Sequence, residues 1–179
     1  MKAWVEESQG HLGDAKDEFT ARFFREASIA AKIAHPNVVN VFDYGRTEDD
    51  VYYLAMEYLH GRTLEAELRA SKRLPWQRAV EITSQICRGL REAHGFDVLH
   101  RDLKPANVFL VDTGDGSTMA KIVDFGLAKI LVDDESEDEQ LTQVGSFLGS
   151  ARYACPEQIA GTKDIDSRAD LYAVGVMLY

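Results

Sequence analysis

The chain has 179 residues, a size that suits one domain with a sizeable core. Its 45% hydrophobic and 28% charged residues are those of a folded globular protein and exclude an intrinsically disordered one. The formal net charge of -10 argues against nucleic acid or an anionic membrane as the main partner. Cys87 and Cys155 lie far apart without metal-ligand spacing, as in a reducing compartment. No signal-peptide pattern opens the chain and no apolar run is long enough to cross a bilayer, so a cytoplasmic setting is expected.

In chain order, Gln9 to Asp17 is rich in glycine and charge and reads as a loop. A helix is expected from Phe19, with Phe23, Ala27, Ala30 and Ala34 on its apolar face, stopped by His35-Pro36-Asn37. Val38 to Phe42 and Val51 to Met56 read as strands joined by the acidic turn Arg46 to Asp50. Glu57 to Gly61 is a connector, after which the chain is mostly helical. Thr63 is placed to cap a short helix ending near Ala70. Pro75, at a first helical position, opens a long helix with the face Ala79, Ile82, Ile86, Leu90 and Ala93, closed by Gly95. A last helix begins at Ser167 and is still running at Tyr179.

Between the long helix and a loop running from Asp124 to Pro156 lies the stretch that carries chemistry. Val98-Leu99 leads into His100-Arg101-Asp102-Leu103-Lys104-Pro105-Ala106-Asn107, and Val108-Phe109-Leu110 leaves it. Lys121-Ile122-Val123 then leads into Asp124-Phe125-Gly126. The Asp/Gly/Ser-rich segment Asp112 to Ser117 is a reversing turn between the two strands. Such a hairpin brings Asp102, Lys104, Asn107 and Asp124 to one end of a small sheet. An acid, a cation and two oxygen donors around one spot suit a phosphate and a hard divalent metal.

His-Arg-Asp-Leu, an Asn five residues after the Asp, and a following Asp-Phe-Gly together resemble the signature of protein kinases. In wording the chain resembles the eukaryotic-like serine/threonine kinases of bacteria through nearly its whole length. The resemblance implies an α+β, two-lobed fold, with residues 1–58 as part of the small lobe and 59–179 as part of the large one. It implies ATP with Mg2+ (or Mn2+), and transfer of the γ-phosphate to serine or threonine of a protein substrate. Nucleic acid and membrane contact within the chain are not expected, and dimerisation of a full-length protein is left open.

Residue by residue, the resemblance makes Asp102 the group that orients the substrate hydroxyl and accepts its proton, and Lys104 the cation that neutralises the migrating phosphoryl group. Asn107 and Asp124 become metal ligands. Glu26, on the first helix, matches the glutamate that pairs with a strand lysine; Lys2 is the candidate, read as the last piece of its strand. Met56-Glu57-Tyr58-Leu59 matches the hinge whose backbone bonds adenine, chiefly through Met56, Glu57 and Leu59. Phe109 would pack beneath the base. His100 is read as a brace for Phe125, Arg101 as the partner of a phosphate on Thr142 or Ser146, and Ser150 as a hydroxyl near the substrate. Glu157 would pair with an arginine, and Asp170 would accept hydrogen bonds from the catalytic-loop backbone.

Nothing before Phe19 reads Gly-x-Gly-x-x-Gly, and the family's later helices do not follow Tyr179. The expectation is therefore a kinase domain truncated at both ends, poorly soluble and weakly active or inactive alone. On that expectation the last helix exposes Leu171, Val174, Val176 and Leu178. Two rival readings are a pseudokinase scaffold and a small-molecule kinase of the same fold. Intact Asp102, Asn107 and Asp124 argue against the first, and Arg101, Lys104 and the long following loop against the second.

Overall fold

The computed structural model describes residues 2–6, 13–114, 116–125, 151–162 and 164–179. Three strands form a first antiparallel sheet in the order β1-β3-β2, with β1 at Lys2–Glu6, β2 at Val41–Arg46 and β3 at Tyr52–Met56. Helix α1, Gly13–Ala30, packs on it. Phe23 and Ala27 meet Val41, Tyr52 and Leu54 in a small core, and the Phe23 ring lies 5.0 Å from that of Tyr52. The Thr20 hydroxyl also bonds the Tyr52 hydroxyl.

Here the structure moves several expected boundaries. The helix starts at Gly13, not Phe19. It stops at Ala30, before the proline, in a tightened turn with Lys32 N–H on Ile29 O and Ile33 N–H on Ala30 O. The next core position is thereby Ile33, 1% exposed, instead of Ala34. The following strand begins at Val41, not Val38, because Val38 and Val39 are used elsewhere. Val39 N–H bonds Ile122 O and Ile122 N–H bonds Asn37 O, a short parallel bridge to the second sheet.

That second sheet has the order β4-β5-β6: Gly61–Thr63, Val108–Asp112 and Thr118–Ile122. Gly61 is thus the start of a strand, not only a connector. A Cβ there would stand 2.1 Å from Leu110 O, so only glycine lets the two backbones approach so closely. Thr63 caps α2, Leu64–Ser71, its hydroxyl accepting Ala66 N–H at 3.1 Å. Pro75 stands one residue ahead of α3, Trp76–His94, as its cap. Ile82, Ile86, Leu90 and Ala93 on α3 are buried as expected, and Ala79 is half-buried.

Helix α4 is the short Pro156–Ile159, and α5 is Arg168–Leu178, led by Ser167. The larger core joins α3, β5 and β6 to Ala173 and Val174 of α5, and it includes Ile33 and Val38. Val174 is therefore buried (7%) and Val176 half-buried; Leu171 and Leu178 do lie outward. The packing of α5 against α3, which helical spacing alone does not orient, accounts for the difference.

Candidate active site

The β5–β6 hairpin sets the site. Val108 stands opposite Ile122 in register, so the residue before β5 and the residues after β6 share one end of the sheet. Val123 N–H donates to Asn107 O at 3.0 Å and fastens that end. At the other end Thr113 N–H meets Ser117 O across a turn whose Gly114 and Gly116 take φ of 80° and 84°.

Pro105–Asn107 forms one turn of 3-10 helix that swings Asn107 back over Asp102. Asn107 Nδ2 donates to the Asp102 carbonyl at 2.9 Å and reaches its Oδ2 at 3.5 Å. The amide is thereby oriented with Oδ1 as its lone-pair end. Lys104 Nζ donates to Asp102 Oδ2 at 2.6 Å. Both partners remain partly open to solvent, at 25% and 34% of their side chains. Asp124 is exposed two residues beyond β6, with φ 64°, while Phe125 turns inward at 5% exposure. An apolar recess between Ile33, Val41, Leu54 and Met56 runs up to Asp124 and Phe125.

Beneath the site His100 is fully buried. Its Nε2–H donates to Val123 O at 2.9 Å, and its ring centroid lies 5.0 Å from that of Phe125. Burial holds the imidazole below its ordinary pKa, against the pull of Asp170, the Val123 carbonyl, Asp102 and Asp124. Asp170, 1% exposed on α5, accepts His100 N–H on Oδ2 and Arg101 N–H on Oδ1, each at 2.9 Å. Burial pushes its pKa up. The hydrogen bonds from His94, His100 N–H and Arg101 N–H outweigh that and hold it below the usual carboxylate range.

Other expected site residues fall as follows. Glu26 lies on α1 with its side chain 12% exposed, 3.3 Å from Arg25. Lys2 opens β1 instead of ending its strand, and the register sets its backbone opposite Met56. Met56 closes β3, and Glu57 and Leu59 follow it, both half-buried. Phe109 lies on β5 between Thr63 and Lys121. Glu157 is exposed in α4; its own backbone N–H and the Cys155 thiol hold its pKa down. Gly126, Thr142, Ser146 and Ser150 lie outside the described residues.

Three contributors escaped the sequence reading. His94 Nε2 reaches Asp170 Oδ2 at 2.8 Å. Gln158 Nε2 donates to the Arg101 carbonyl at 2.6 Å, which ties α4 to the turn. Lys121, only 8% exposed, meets the Glu57 carboxylate at 2.6 Å. For Lys121 a signal existed: a lysine inside an apolar strand requires a buried partner.

Residues 9–179 match the model of the family described as the protein kinase domain. The chain is 43% identical over 164 residues to the serine/threonine-protein kinase pkn3 of Myxococcus xanthus, covering 91% of this chain and 30% of that protein. It is 37% identical over 163 residues to the serine/threonine-protein kinase PrkC of Bacillus subtilis (91% of this chain, 24% of that protein). To the serine/threonine-protein kinase PknB of Mycobacterium leprae it is 37% identical over 164 residues, covering 90% and 25%. The chain spans less than a third of the length of these curated relatives.

Proposed function

The chain belongs to the protein kinase domain family, and we propose that it supplies the catalytic centre of a serine/threonine protein kinase that moves the γ-phosphate of ATP to a protein hydroxyl. The observation that carries this reading is the cluster of Asp102, Lys104 and Asn107, with Asp124 brought to the same sheet end by the β5–β6 register.

In this role Asp102 aims the substrate hydroxyl and takes its proton late. A carboxylate suffices for that, because a loose transition state asks for little deprotonation early. Lys104, already 2.6 Å from Asp102, puts its positive charge beside the transferred group. Among the described residues no group of three or more His, Cys, Asp or Glu side chains could hold a metal. Magnesium takes one or two protein oxygens and fills its shell with water and phosphate oxygens. Asn107 Oδ1 and the Asp124 carboxylate would hold it, and when bound it neutralises phosphate charge.

The backbone of Met56, Glu57 and Leu59 would receive the adenine, with Phe109 beneath it, and Lys2 with Glu26 would hold the first phosphates. Arg101 would read a phosphate on Thr142 or Ser146, and Ser150 would face the substrate. Residues 1–58 serve as the small-lobe part and 59–179 as the large-lobe part. Among the described residues no helix is long and apolar enough to cross a membrane. We assign the work to the cytoplasm, with or without an anchor elsewhere in the gene product.

A substrate panel tests this reading: the full-length gene product with labelled ATP and magnesium, offered serine, threonine and tyrosine peptides and small hydroxylated metabolites. Label in serine or threonine peptides is the expected result. Label confined to metabolites, or nucleotide binding without any transfer, would replace the reading with one of its rivals.

A further inference from the structure

Lys121 stands in β6 between Ala120 and Ile122, which are 1% and 0% exposed, and is itself 8% exposed. Its Nζ donates to Glu57 Oε1 at 2.6 Å and lies 3.5 Å from Val38 O. The same Glu57 oxygen accepts Asn40 N–H at 2.8 Å, and Glu57 N–H donates to Asn40 O at 2.9 Å. One carboxylate oxygen thus gathers three segments: the stretch leaving β3, the stretch entering β2, and β6. The first two belong to one sheet and the third to the other, and the pair stands beside the short parallel bridge of Val38 with Ile122 that joins the same two segments. Lys121 is three residues before Asp124, and Glu57 directly follows Met56.

We propose that the Lys121–Glu57 pair is a positioning device that fixes the span between the adenine-facing backbone and Asp124, and so sets the affinity for the nucleoside triphosphate. The inference rests on the kinase reading and deepens it. A ligand that must reach both the hinge backbone and a metal at Asp124 binds best when those two points are already at the right separation. If they drift, binding has to order them, and that ordering opposes affinity. The pair is mostly withdrawn from water, so it holds a defined geometry where an exposed pair would not.

A role in positioning differs from a role in stability alone, and a double variant separates them. Lys121→Met keeps the aliphatic stem, and Glu57→Gln keeps an acceptor for Asn40 N–H. Lys121→Met removes the charge partner of Glu57, and Glu57→Gln removes that of the buried Lys121 ammonium; each is expected to lower the melting temperature. The double variant removes that mismatch and recovers melting temperature. The proposal predicts that nucleotide affinity does not recover with it. Calorimetry with a non-hydrolysable ATP analogue and magnesium, on the full-length gene product, should show Kd raised about fivefold in both singles and still about fivefold in the double, as for a coupled pair. In turnover, KM for ATP should rise by a similar factor, while KM for the peptide moves by less. Affinity that returns together with melting temperature, or never changes, overturns the proposal. Wild-type protein that binds no nucleotide overturns the kinase reading itself, an outcome distinct from that one.

Discussion

Asp170 and Arg101 meet across 69 positions of sequence: Oδ1 of the buried carboxylate accepts the Arg101 backbone N–H at 2.9 Å. Arg101 has φ 65°, a left-handed conformation that costs a non-glycine residue about 1 kcal/mol or more. Asp170 holds the turn there, and the turn sets where Asp102 points. In Asp170→Asn one of the two acceptor oxygens becomes an NH2 facing a backbone N–H. We expect a loss of roughly 2–3 kcal/mol of unfolding free energy in urea titration, with catalytic activity falling further than stability alone would explain.

Buried His100 makes the fold acid-sensitive. Its pKa is lowered in the folded state, chiefly by burial, so between its folded and unfolded values the unfolded chain binds the extra proton. Stability contributed by the neutral imidazole is present above about pH 6.5 and is lost as pH falls below that toward the folded value. Asp170, also lowered, adds a second loss that begins only below the ordinary Asp pKa. Urea midpoints measured from pH 7.5 to pH 5 should fall, and an apolar aromatic at position 100 should flatten the slope over that range. A wild-type midpoint that is flat or rises on acidification contradicts the assignment.

Gly89 on α3 tests how closely that helix packs on Asn37 and β6. A Cβ there would sit 2.8 Å from Asn37 O and 3.1 Å from Ile122 Cδ1. Alanine is favoured over glycine in a helix by about 1 kcal/mol, yet the near atom is a backbone carbonyl that also accepts Ile122 N–H. The clash should win, with Gly89→Ala destabilising by about 1–3 kcal/mol in chemical denaturation.

Much of the site was legible because its residues are close in sequence. The turn Asp112 to Ser117 and the apolar runs beside it set the hairpin, and the hairpin alone brings Asn107 and Asp124 to one end. What was not legible depends on contacts distant in sequence. Val38 and Val39 read as a strand by propensity, but pairing with Ile122 claimed them. Val174 read as exposed on the expectation of a truncated domain, but the packing of α5 into the larger core with α3 covers it. The links from His94 to Asp170, Asn37 to Gln85 and Glu57 to Lys121 join positions 48 to 76 residues apart, beyond the reach of any local pattern.

The four groups at the hairpin end should divide their labour in a way that one pair of variants exposes. On the proposed roles, Asp124→Asn would weaken a metal ligand, whereas Asp102→Asn would leave the metal oxygens in place and remove the hydroxyl-orienting carboxylate. With the full-length gene product, magnesium-dependent binding of the ATP analogue should fall in Asp124→Asn and persist in Asp102→Asn.

The most direct test measures γ-phosphate transfer to a serine or threonine peptide in wild type and in these two variants. The account predicts magnesium-dependent incorporation in wild type and a loss of about a hundredfold or more in each variant. Incorporation that survives in Asp102→Asn at the wild-type rate would contradict it.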